Sequence, residues 1–245
     1  DGVRDFITSN PWSDTIYLFS GASTGDNDVE DSLGELWLDT PSGYLGYEMG
    51  DAGDFDGDGT LDVLVGPGAY PGGVYVINPA VDFSDSSSSP MELSPPDENS
   101  GSFGSSIANI GDINGDGFED IAVGDYRADL PDHLYSEGLW TNAIGAVHIF
   151  FGPISALQEP DLTVYGSTYY ELLGRGALDA TDANDDGYSD LLVGSRDTSR
   201  GQPYSGAAYL LYGPFNHTMT TKSFPSTADA VASFSGAKDD RINRG

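Results

Sequence analysis

The clearest chemistry in the sequence lies in nine residues, Asp112-Ile113-Asn114-Gly115-Asp116-Gly117-Phe118-Glu119-Asp120. Side-chain oxygens stand at positions one, three, five and nine of this string, and a glycine stands at six. A hard divalent cation takes roughly six to eight oxygen ligands, and Ca2+ accepts them in flexible geometry. Alternate residues of a tight loop can turn their side chains to one point, here Asp112, Asn114 and Asp116, with Asp120 closing the shell. Phe118, at position seven, would offer only its backbone carbonyl, so its side chain need not be polar. Gly117 supplies the sharp turn at little steric cost.

The pattern occurs twice more. Asp54, Asp56, Asp58, Gly59 and Asp62, with Thr60 at position seven, form one copy. Asp182, Asn184, Asp186, Gly187 and Asp190, with Tyr188 at position seven, form the other. A single acidic glycine loop is often no more than a solvated turn. Three in one chain, each followed by the same kind of apolar run, predict three Ca2+ sites. An EF-hand would need flanking helices and a glutamate at position twelve. Position twelve here is Val65, Val123 and Val193, inside an apparent strand.

The elements that hold these loops repeat with them. Eight residues before the first Asp of each loop stand Gly46, Gly104 and Gly174, preceded by Leu45, Phe103 and Leu173. After the last Asp come Val63-Leu64-Val65-Gly66, Ile121-Ala122-Val123-Gly124 and Leu191-Leu192-Val193-Gly194. A Gly-led apolar run follows in each unit, at Gly73 to Ile77, Gly145 to Phe151 and Gly206 to Tyr212. Weaker short strands are expected near Met91–Leu93, Leu162–Tyr165 and Lys222–Phe224. That makes four strands per unit, with no sustained helical periodicity. The apolar runs are continuous rather than alternating, as in sheets covered on both faces. Four-stranded units at this period predict an all-β fold, a β-propeller.

With these residues in place, the chain resembles an array of FG-GAP repeats, the blades of the integrin alpha-subunit propeller and its relatives. Phe103-Gly104 matches the FG element, and Val65-Gly66-Pro67 partly matches GAP. The other units read Gly124-Asp125-Tyr126 and Gly194-Ser195-Arg196, and Leu45 and Leu173 replace the Phe. The resemblance implies calcium loops between the first and second strands of each blade. It also implies ligand binding on the opposite face, where second-to-third strand connections and interblade linkers lie. On that face the candidate ligand residues are Trp12, Tyr126, Arg127, Tyr135, Trp140, Arg196 and Tyr204, since aromatic and arginine side chains anchor interfaces and carbohydrate platforms. A protein or glycan ligand is expected there.

The units divide as a partial blade at 1–40, full units at about 41–94, 95–166 and 167–225, and the first strand of a further blade at 226–245. Asp1-Gly2-Val3-Arg4-Asp5 aligns with the second half of a calcium loop, so Asp1 and Asp5 mark an additional partial metal site. The end strands could belong to a larger propeller, close on each other, or complete a neighbouring chain by strand addition.

Composition narrows the function. The formal net charge is −31, and ten of the acidic residues are the loop aspartates, so three divalent cations leave most of it uncompensated. Nucleic acid is an unsuitable partner, since phosphate binding needs a basic face. No apolar run is long enough to span a membrane, and direct insertion is not expected. Without cysteine there is no disulfide framework and no thiolate metal site. Only His133, His148 and His217 could serve as histidine bases, and no nucleophile elbow is present, so catalysis is not expected. Weak extracellular-type calcium sites fill outside cells, which predicts a secreted or surface location.

Overall fold

The computed structural model describes residues 5–26, 28–40, 43–68, 72–84, 88–96, 100–129, 143–154, 159–166, 170–195, 206–215, 221–223 and 232–235. Among them the chain is all-β. A three-stranded sheet, β1 (Phe6–Asn10), β2 (Thr15–Phe19) and β3 (Gly34–Trp37), forms the partial blade. The first full blade is β4 (Glu48–Gly53), β5 (Asp62–Gly66), β6 (Val74–Ile77) and β7 (Met91–Leu93). The second is β8 (Phe103–Gly111), β9 (Asp120–Asp125), β10 (Ala146–Phe150) and β11 (Leu162–Tyr165). The third contains β12 (Leu173–Thr181), β13 (Asp190–Ser195) and β14 (Ala207–Leu211). Within each blade consecutive strands pair antiparallel, as in a propeller blade. Among the described residues the four sheets do not close into a ring.

Two expectations at the end of the chain are corrected. The short strand expected at Lys222–Phe224 is β15 (Thr221–Ser223), and it pairs parallel with β11 rather than with β14. The strand at Ala232–Ser235, β16, was expected to open a further blade; it lies antiparallel to β14 as the outer strand of the third. A local pattern marks a strand but not its partner. An antiparallel neighbour of β14 needs only a return in direction, which either segment can make. A short α1 (Pro79–Asp82) follows β6, because Asn78 caps it and Pro79 sits in its first turn.

The continuous apolar runs are explained by where successive side chains go. Strand residues alternate between faces, and each face of a blade meets a different neighbour. Val65 packs with Ile16, Leu36, Leu45, Tyr75 and Ile77 between the partial and first full blades. Leu64, next to it, joins Val74, Phe103, Ile121, Val123 and Phe150 between the first and second. Ala122, between Ile121 and Val123, turns to the second–third layer with Val147, Leu173, Leu191 and Val193. The core therefore lies between blades. The first strands β4, β8 and β12 run side by side at the inner edge.

The FG glycine is required by this stacking. A Cβ on Gly104, at φ 84°, would stand 2.7 Å from Pro67 Cδ of the preceding blade. Gly174 repeats the contact against the carbonyl of Ala146 at 2.5 Å. Ser106 Oγ donates to the Gly174 carbonyl at 2.8 Å, tying the same seam.

His148 lies inside the core on β10. Its Nδ1 is 3.0 Å from Thr163 Oγ1, and its Nε2 has no partner. Burial pushes its pKa down from 6.5 to about 3. The unfolded chain therefore takes up this proton first, so the stability it withholds is lost as pH falls from about 6.5 toward 3. The full span corresponds to about 5 kcal/mol. In urea denaturation at fixed calcium, His148→Gln is expected to flatten the acid loss of stability across this window relative to the wild type. Parallel profiles would show that His148 does not carry it.

Candidate metal centre

Each nine-residue loop joins the first strand of its blade to the second, between β4 and β5, β8 and β9, and β12 and β13. In the first and second loops the apolar residue at position two anchors the loop. Phe55 and Ile113 are fully buried in the layers on either side of the second blade. With that residue pinned, the polar residues at one, three and five are held on the outer side of the turn.

Asx-type hydrogen bonds then set the backbone. In the second loop Asp112 accepts from the amides of Gly115 (2.7 Å), Asp116 (3.0 Å) and Gly117 (2.9 Å). Asn114 Oδ1 accepts from Asp116 N at 2.8 Å, and Asp116 Oδ1 from Phe118 N at 2.9 Å. The third loop repeats the set: Asp182 accepts from Asp186 and Gly187, Asn184 from Asp186, and Asp186 from Tyr188. In the first loop Asp54 accepts from Gly59 N at 3.0 Å, Asp56 from Asp58 N, and Asp58 from Thr60 N at 2.7 Å. Carboxylate oxygens of Asp54, Asp56 and Asp58 lie within 4.8 Å of one another. The spacing argument thus brings its three leading ligands of the first loop to one point. The same hydrogen-bond set places Asp112, Asn114 and Asp116, and Asp182, Asn184 and Asp186, in matching turns.

The position-nine aspartate closes each loop from below. Asp120 Oδ2 accepts from Ile113 N at 2.8 Å, and Oδ1 from Gly152 N at 3.0 Å. Asp190 accepts from Ala183 N and Gly213 N, each at 2.9 Å. Gly152 and Gly213 each stand two residues past the third strand of their blade and open a cis Gly-Pro bond. Asp5 makes the corresponding bond to Gly21 N at 3.0 Å, two residues past β2. That places Asp5 in the position-nine role of the partial blade; Asp1 lies outside the described residues.

The first full blade departs from the rule. Asp62 Oδ2 accepts from Phe55 N at 3.1 Å, but Asp62 Oδ1 is buried with no hydrogen-bond partner. The residue two past β6 is Pro79, which has no N–H to give. Burial, followed by the neighbouring Asp56 and Asp58 charges, pushes the Asp62 pKa up to about 7. Burial likewise raises Asp120 to about 7, with Asp116 and Asp112 adding to it. A buried carboxylate oxygen without a donor, beside three converging carboxylates, fits a hard cation. The donor set is oxygen throughout, with no thiolate or imidazole.

Some parts of the site were not picked out by spacing. The position-two residues Phe55, Ile113 and Ala183 are apolar in every copy, which was a readable signal. The repeated Gly-Pro at 152–153 and 213–214 was another. Asn78, whose Nδ2 donates to Asp58 Oδ2 at 2.8 Å, reaches the first loop from β6 and carries no local signature.

The opposite end of the blades carries Trp12, Tyr126 and Arg127. Trp12, in the β1–β2 turn, is 76% exposed and meets Tyr44 edge-on with ring centres 5.6 Å apart. Tyr44 in turn lies 6.0 Å from Tyr47, so three rings form one run. Tyr126 is buried, flanked by Arg127 at 5.2 Å and by Arg175 at 4.7 Å from its ring centre. Arg175 was not singled out by sequence. Tyr135, Trp140, Arg196 and Tyr204 lie outside the described residues, as do His133 and His217.

Comparison with known proteins agrees with this geometry. A model of an FG-GAP-like repeat matches residues 54–123, and one of the FG-GAP repeat matches 103–150. Each match spans a loop and its flanking strands. The chain belongs to the FG-GAP repeat family, of the integrin alpha type. It is 36% identical to integrin alpha-3 of Cricetulus griseus over 74% of the chain and 16% of that protein. Integrin alpha-5 of Xenopus laevis is 30% identical over 95% of the chain and 23% of that protein. A phosphatidylinositol-glycan-specific phospholipase D of Homo sapiens is 30% identical over 82% of the chain and 24% of that protein. The chain thus spans under a quarter of the length of these FG-GAP relatives.

Phe55→Ala is expected to destabilise the protein by about 3–5 kcal/mol, the cost of emptying a buried phenylalanine site. Urea denaturation with calcium held constant measures it. A loss within about 0.5 kcal/mol would show that the loop does not depend on its position-two anchor.

Proposed function

We propose that the chain is a calcium-stabilised extracellular propeller module for adhesion or recognition, without a catalytic site of its own. The observation that carries the metal reading is Asp62 Oδ1, sealed from water and without a donor, beside the converging carboxylates of Asp54, Asp56 and Asp58. The residues that would hold Ca2+ are Asp54, Asp56, Asp58 and Asp62; Asp112, Asn114, Asp116 and Asp120; and Asp182, Asn184, Asp186 and Asp190. The carbonyls of Thr60, Phe118 and Tyr188 complete the three sets. Bound calcium would neutralise carboxylates that otherwise repel, so its binding free energy becomes folding free energy.

Integrin alpha relatives support a protein ligand on the face opposite the loops. The run of Trp12, Tyr44 and Tyr47, exposed at Trp12 and Tyr47, favours a glycan as the second reading, since aromatic rings stack on sugars. Among the described residues no helix is long and apolar enough to cross a membrane.

Stripping calcium with EDTA is expected to lower the melting temperature, each site held at about a hundred times its Kd contributing about 2.7 kcal/mol. Three equivalents should bind in a calorimetric titration and two in Asp116→Ala. An unchanged melting curve in EDTA would refute structural calcium. Trp12→Ala should leave stability within about 0.5 kcal/mol, because its ring is largely in water. Loss of signal by that variant on a glycan array would assign the ring to binding, and a wild-type profile identical to the variant's would remove it from the site.

A further inference from the structure

We propose that Phe118 and Tyr188 are positioning residues for the cation loop of the preceding blade, so that neighbouring loops fill cooperatively. This rests on the calcium reading of the loops.

The contacts run in one direction along the chain. A Cβ on Gly57, position four of the first loop, would stand 3.3 Å from Phe118 Cε1 of the second. A Cβ on Gly115, position four of the second loop, would stand 2.5 Å from Tyr188 Cε1 of the third. Position four lies between the ligands at three and five, so the ring presses on the segment that must place both. Backbone conformation alone does not demand glycine there. Asp185 holds position four of the third loop at φ 61°, close to Gly57 at 78° and Gly115 at 82°. The ring leaves no room for a side chain at Gly115 and only a tight fit at Gly57.

Position eight adds a second grip. Glu119 lies against Gly53, and a Cβ on Gly111 would stand 3.0 Å from Ser189 Oγ. Gly53 and Gly111 immediately precede the first ligands, Asp54 and Asp112. A third grip joins the second and third blades, where Phe215 N donates to the Ile113 carbonyl at 2.9 Å. The residue whose carbonyl serves its own loop therefore also sets the loop before it. Ordering one loop lowers the cost of ordering its neighbour.

The amides of Gly59, Gly117 and Gly187 each donate to the position-one carboxylate of their own loop and report its filling separately. In a Ca2+ titration of EDTA-stripped, 15N-labelled protein, the Gly59 and Gly117 signals are expected to move together, more steeply than a single site allows. Phe118→Ala should raise the Gly59 midpoint about fivefold or more and leave Gly187 in place, and Phe118→Tyr should restore it. By reciprocity, Gly57→Ala should raise the Gly117 midpoint. If Phe118→Ala does not fold, Phe118→Leu supplies the same comparison with a smaller shift. A Gly59 midpoint unmoved in these variants, or independent midpoints in the wild type, would overturn the coupling while leaving calcium binding intact. No shift at any of the three glycines would overturn the calcium reading and the coupling with it.

Discussion

One buried carboxylate per full blade holds the structure around it. Asp62, Asp120 and Asp190 each sit at the start of a second strand, out of water, and each accepts an amide from position two of its own loop. In the second and third blades the other oxygen accepts from the glycine two residues past the third strand. One side chain thus joins the loop, the second strand and the third. A buried carboxylate is tolerated only where hydrogen bonds or opposite charge offset its desolvation. Asp120 has both oxygens bonded, whereas Asp62 has one. The first loop is therefore where the demand for a cation is greatest, and the cause is the missing N–H of Pro79.

Much of this was legible in the sequence because the physics is local and repeated. The candidate oxygen ligands are set by spacing within nine residues, and those at positions one, three and five of the first loop do converge. The continuous strands implied burial on both faces, and each face does enter a different core layer. What was not legible depends on distant pairing. Thr221–Ser223 and Ala232–Ser235 both read as strands, yet nothing in them says whether β11 or β14 will be the partner. Asn78 reaches Asp58 across twenty residues, and Arg175 reaches Tyr126 across a blade boundary. Neither leaves a trace in local pattern. The short α1 escaped because four residues show no periodicity; only its Asn-Pro cap marks it.

The two ends of the blades answer to different constraints. At the loop end, a protein of net charge −31 gathers carboxylates and holds them with backbone amides. At the other end, two of its seven arginines stack on one tyrosine, and three aromatic rings form one run whose outer two are exposed. Stacked guanidinium groups lose less freedom when they meet a partner, since their planes are already set. Asp125, buried beneath this face with its pKa raised by burial, accepts from the amides of Gly101 and Ser102 and fixes the linker into β8. This end of the blades thus uses the same device as the acidic loops, a buried carboxylate on backbone amides.

Stability in such an array belongs to the interfaces more than to the blades. A repeat whose core lies between neighbours gains little alone, and its energy is a sum over adjacent pairs. Here the seam is continuous from one end to the other. Between the first and second blades, Gly104 meets Pro67 near the top, Leu64 and Val123 fill the same layer in the middle, and Phe118 covers Gly57 at the loops. A substitution at any height of the seam must therefore act on two blades. Tyr188 meets Gly115 in the same way one blade further on. The asymmetry of these contacts gives the array a polarity: each loop is shaped by the blade that follows it.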